Sequence, residues 1–100
     1  MSNIFSVANY ILQKQGKIST MKLQKLCYYC QAWALVWIEK PLFNENFEAW
    51  ANGPVCKKLY NLTKGQFEVD QTIFINKPKL EKNENNEYKT IDAVLKKYGK

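Results

Sequence analysis

Residues 20–41 read Thr20-Met-Lys-Leu-Gln-Lys-Leu-Cys-Tyr-Tyr-Cys-Gln-Ala-Trp-Ala-Leu-Val-Trp-Ile-Glu-Lys-Pro41, and this stretch decides the fold. Ser19 or Thr20 can cap a helix start with its hydroxyl. Pro41 lacks an amide hydrogen and restricts Lys40, so the predicted helix runs to about Glu39. Met21, Leu23, Leu26, Cys27, Cys30, Trp33, Ala34 and Trp37 spread beyond one narrow stripe. So wide an apolar surface describes a central helix covered by neighbours on more than one side. Lys22, Lys25 and Gln31 keep part of it in water.

On the N-terminal side, Ile4, Val7, Ala8, Ile11 and Leu12 recur every three or four residues and predict a helix over 3–15. Gly16 supplies its left-handed ending, and Lys14 suits the dipole at that end. On the C-terminal side, residues 42–52 lack a helical period. There Phe47, Ala49 and Ala51 alternate with Glu48, Trp50 and Asn52, which permits a short extended piece. Asn52-Gly-Pro54 reads as a turn that places Pro54 at the first position of a helix over 55–64. That helix carries Val55, Leu59 and Leu62 on one side, Cys56 and Tyr60 beside them, and Gly65 after it. Phe67 and Val69 alternate with acids and lead to Ile73-Phe-Ile75, so a strand or hairpin arm is predicted within 66–76. Residues 76–87 are polar and read as an exposed connector. Tyr88, Ile91, Leu95 and Tyr98 predict a last helix over 88–97. No repeat or second boundary interrupts the chain. The expectation is one compact, mainly helical domain over residues 1–100 with a small β-strand or hairpin element.

The chain has 100 residues, no histidine and a net charge of +6, and all of its basic side chains are lysine. Residues 1–40 carry five lysines against Glu39, whereas residues 41–100 nearly balance at ten lysines and eight acids. Such a field favours acidic partners. It also permits nucleic acid, but without arginine the bidentate phosphate and guanine contacts are missing. The three cysteines and the MSNIF opening, which has no secretory pattern, point to a reducing, cytoplasmic setting rather than a disulfide scaffold. The most apolar run, 32–38, is too short to span a bilayer.

Histidine-dependent acid–base and nucleophilic chemistry is excluded by composition. Cys27-Tyr-Tyr-Cys30 has a metal-like gap but no second pair, so both thiols, and Cys56, read as core residues. Glu45 and Glu48 read as a solvated edge rather than a catalytic carboxylate pair. The glycines stand singly, without a phosphate-binding loop. No enzyme, metal or cofactor is expected. Among the aromatics, Trp33 and Trp37 read as core, while Tyr28 and Trp50 suit either core or interface.

The segments Met21-Lys-Leu-Gln-Lys-Leu-Cys-Tyr-Tyr-Cys-Gln-Ala-Trp33, Lys40-Pro-Leu-Phe43, Glu48-Ala-Trp-Ala-Asn-Gly-Pro-Val55 and Leu59-Tyr60 together resemble the SocA-like antitoxin family, or Panacea domain. Val7-Ala8-Asn-Tyr-Ile-Leu12 and Val94-Leu-Lys-Lys-Tyr-Gly-Lys100 fit the same pattern. Family members continue past the position of Tyr98-Gly-Lys100 with a helical segment holding a histidine and a tryptophan, so the chain reads as a C-terminally shortened member. The resemblance implies an antitoxin, of bacterial or phage origin, that neutralises a protein toxin by contact, in some members by delivering it to a protease. Carried over by position, Leu23, Leu26, Gly53 and Pro54 suit scaffold roles. Lys22, Lys25, Tyr29, Gln31, Glu48, Trp50 and Asn52 are the partner-binding candidates. Two alternatives accompany this reading: an inhibitor of a host defence protein acting at a nucleic-acid-binding or acidic surface, and self-association through aromatic surface near the chain end.

Overall fold

The computed structural model describes residues 3–74 and 85–99. Helix α1 (Ile4–Gln15) opens with Asn3, whose carboxamide accepts the Ser6 N–H at 2.9 Å, while Ser6 Oγ accepts the Asn3 N–H at 3.0 Å. Two of the unpaired amides of the first turn are thereby satisfied. The helix closes at Gly16, whose positive φ of 74° suits a residue without Cβ. Strand β1 is only Ile18–Ser19, and Ser19 caps the next helix by accepting the Lys22 N–H at 3.1 Å.

Helix α2 (Thr20–Trp37) is the spine. Its buried Leu23, Leu26, Cys27, Cys30 and Ala34 meet α1 and helix α4 (Asn85–Tyr98), as the wide apolar surface predicts. It ends where Ile38 N–H reaches the Ala34 carbonyl and Glu39 turns left-handed at φ 56°. The long connection that follows is strapped to one face of α2. Gln31 donates to the Phe43 carbonyl and accepts from the Leu42 N–H, both at 2.8 Å. Two turns earlier on the same face, Gln24 donates to the Cys56 carbonyl at 3.3 Å and accepts the Cys56 N–H at 2.8 Å. Between them Tyr28 meets Phe47 edge-on at 5.4 Å. Each carboxamide thus mimics a peptide group: Gln31 pairs with loop backbone, and Gln24 satisfies the Cys56 N–H and shares the Cys56 carbonyl with the Tyr60 N–H.

The strap contains a hairpin, β2 (Glu48–Trp50) against β3 (Gly53–Val55), joined by Ala51-Asn52. Helix α3 (Lys57–Thr63) follows, then β4 (Glu68–Val69), a 3₁₀ turn over Gln71–Phe74, and α4. Strand β4 pairs antiparallel with β1, Val69 opposite Ile18. The core gathers Leu12, Leu23, Leu42, Phe43, Leu59, Phe74 and Ile91 among others.

Several expectations need correction. Pro54 does not start a helix: it lies in β3 opposite Ala49, and α3 begins at Lys57 after Val55 has finished the hairpin. Of the strand expected within 66–76, the described residues 66–74 hold only Glu68–Val69, Gln71–Phe74 being helical in the 3₁₀ sense, and 75–76 lie outside the described residues. Phe67, expected to share a face with Val69, precedes the strand and is 78% exposed. Of the polar connector, 76–84 lies outside the described residues, while 85–87 already belong to α4. Trp37 is not core. The last turn of α2 overshoots its neighbours and leaves it 47% exposed, stacked on half-buried Trp33 at 4.6 Å. Glu45 is not a solvated edge residue either. It accepts the Ile4 N–H of α1 at 3.2 Å and pairs with Lys58 at 3.2 Å, a carboxylate placed at the positive end of a helix.

Candidate partner-binding surface

The hairpin stands between two concavities. The first, about 310 Å³, lies between the hairpin, the start of α2 and the end of α3. Its lining combines Met21, Trp50, Pro54, Val55 and Tyr60 with Lys25, Asn52 and Lys64. The second, about 410 Å³ and shallower, lies across the hairpin, where Tyr28, Phe47, Glu48 and Ala49 face it. Trp50 borders both and is 38% exposed. Its ring meets Tyr60 edge-on at 4.9 Å, and its indole N–H donates to Glu48 at 2.9 Å. The side chain is therefore held in one orientation while much of it still meets solvent, a cheap starting point for binding because little rotamer freedom is left to lose.

Local sequence explains the placement. Pro54 has no amide hydrogen, so the Ala49–Pro54 pair cannot be a hydrogen-bonded pair of the ladder. Gly53 takes φ 124°, closed to ordinary side chains, and directs the chain back toward α2. A Cβ there would come 3.5 Å from Lys25 Cε, so the two sequence blocks that carry the family resemblance are in van der Waals range at this point.

Of the partner-binding candidates, Lys25, Trp50 and Asn52 meet in the first groove, and Glu48 lines the second with Trp50. Three lie elsewhere. Lys22 Nζ donates to the Gly99 carbonyl at 3.0 Å, tying the start of α2 to the end of α4. Tyr29 packs on Tyr98 at 4.4 Å between the same helices. Both ends of the Gln31 carboxamide are engaged by the strap. Sequence reasoning missed Met21, Tyr60, Lys64 and Phe67 as surface residues. Only Phe67, set between polar Gln66 and Glu68, carried a local hint. A separate apolar patch, Leu35, Val36 and Trp37, is exposed at the end of α2, where Lys97 sits 5.2 Å from the Trp33 ring.

The three thiols are buried and reduced. Burial pushes the Cys27 and Cys30 thiols well up, Cys27 further through its thiol neighbours, and raises Cys56 to a lesser extent against nearby backbone amides. Thiolates are thus suppressed, the reverse of what a reactive cysteine needs. Burial and the 2.7 Å bond to Asp92 likewise raise the Tyr10 phenol. Among the described residues no group of three or more His, Cys, Asp or Glu is placed to hold a metal ion, and no helix is long and apolar enough to cross a membrane.

Spine, strapped hairpin and exposed aromatic groove define a small helical domain with a surface suited to protein contact. The profile of the family described as "Antitoxin SocA-like, Panacea domain" matches residues 23–100, and the chain belongs to that family. Over 59 residues it is 42% identical to "Antitoxin SocA" of Caulobacter vibrioides (strain NA1000 / CB15N). That stretch covers 55% of this chain and 31% of the relative, so the chain spans about a third of the relative's length. No solved structure matches it.

Proposed function

We propose that this chain is an antitoxin-type module that holds a protein toxin by surface contact at the hairpin face of α2. One observation carries the reading: the two family blocks, separated in the chain by residues 34–47, converge where Lys25, Trp50 and Asn52 line one groove. Family membership supports a protein partner, and the orientation of Trp50 against Tyr60 and Glu48 supports an anchor role. The test is co-expression with the toxin encoded beside the gene. A stable complex that relieves growth inhibition, and that is lost on Trp50→Ala while the variant stays folded, is the expected outcome. Absence of any complex, with toxicity undiminished, sinks the reading.

A second reading, self-association, draws on the exposed Leu35, Val36 and Trp37. Sedimentation across protein concentration tests it, and a single monomeric species throughout removes it.

A further inference from the structure

The groove carries a chemical preference. Lys25 and Lys64 border it, and none of its lining residues is acidic. Away from the groove, Lys22 donates to the Gly99 carbonyl, Lys58 pairs with Glu45 and Lys97 sits over Trp33. Among the described residues the Lys25 and Lys64 side chains make no ion pair or hydrogen bond, and both residues are exposed. The same groove is lined by Met21, Trp50, Pro54, Val55 and Tyr60, an apolar trough that shares its lining with two exposed cations. Its volume of about 310 Å³ admits a side chain or two and their backbone, not a folded surface.

We propose that this groove binds an acidic peptide segment of the partner, seated by one apolar side chain with carboxylates on either flank reaching Lys25 and Lys64. The assignment rests on the protein-binding reading above and names the chemistry of the bound segment. Charge complementarity selects the segment: rim cations steer encounter and reject basic sequences, while the trough supplies contact area. Nucleic acid is the poorer occupant. Two lysines neutralise few phosphates, and the edge-on contact of Trp50 with Tyr60 uses ring surface that base stacking would need.

The test is a nuclear magnetic resonance titration of the whole chain with a short peptide of glutamates around one central leucine. Three controls accompany it: a glycine-centred copy, a copy with lysines in place of the glutamates, and oligothymidine. Shifts confined to Lys25, the Trp50 indole, Tyr60 and Lys64 are expected. Affinity should fall about tenfold in the K25E/K64E variant, with weaker binding of the glycine copy and loss of binding in high salt. Thermal unfolding checks that the variant, altered only at exposed positions, remains folded. Lack of binding, shifts elsewhere, equal binding of the lysine copy, or tighter binding of oligothymidine at the same residues overturns the proposal. A toxin complex indifferent to K25E/K64E removes this inference and leaves the antitoxin reading standing. Peptide binding without any toxin complex does the reverse.

Discussion

Gln24 shows how much one side chain can hold. Its carboxamide is the hydrogen-bond partner of both Cys56 backbone groups inside the core. Gln24→Ala leaves the Cys56 N–H unsatisfied, while the Cys56 carbonyl keeps the Tyr60 N–H at 2.9 Å, and should lower unfolding free energy by about 1–3 kcal/mol in urea titration. Gln31→Ala, nearer solvent, should cost less. Glu39 is strained in the opposite sense: a non-glycine residue at φ 56°, with a negative charge at the negative end of α2. Glu39→Gly removes both penalties and should stabilise by about 0.5–1 kcal/mol. The buried thiols fix a pH dependence. Because Cys27 and Cys30 have raised values in the fold, the unfolded chain loses these protons first as pH rises past about 8.5. The folded state then binds more protons, so stability must fall with increasing pH there, by up to about 1.4 kcal/mol per unit for each thiol. Denaturant midpoints measured from pH 7 to 10, against a Cys27→Ala/Cys30→Ala variant, check the slope.

At the scale of elements, the helices were legible because their apolar spacing is local. The strands were legible in part: alternation marked the extended piece that holds β2 and the segment that holds β4, whereas β1 has two residues and exists only because Ile18 and Val69, far apart in the chain, meet. Asn52-Gly53-Pro54 announced a turn, yet its proline also fits a helix start, and only the pairing of Ala49 with Pro54 decides for a hairpin. For the same reason the candidate site was half readable. Lys25, Trp50 and Asn52 could be named from sequence blocks, whereas Tyr60 and Lys64 join them only when α3 is docked. Trp37 deceived because spacing tells which side of a helix a residue is on, not where its neighbours stop. The hairpin's dependence on Gly53 is testable: Gly53→Ala forces a side chain into φ 124° and should cost about 1–3 kcal/mol, visible as a lowered melting temperature.

At the scale of the molecule, a chain of 100 residues has a small core, and α2 serves both it and the face proposed for binding. Its inner side gathers α1 and α4, its strapped side holds the hairpin, and the groove opens where α2, the hairpin and α3 meet. The excess of lysine over acid in the first forty residues would extend the preference proposed for that groove to the approach of an acidic partner, since like-signed surroundings reinforce steering. The most direct test of the proposed arrangement is the dissociation constant of the complex it predicts with a toxin encoded beside the gene, measured by calorimetry for the native chain and for Trp50→Ala. The expected result is a loss of at least about 2 kcal/mol, near thirtyfold, with the variant's melting temperature nearly unchanged. Equal affinity for the two folded proteins would contradict the placement of the partner at the hairpin face.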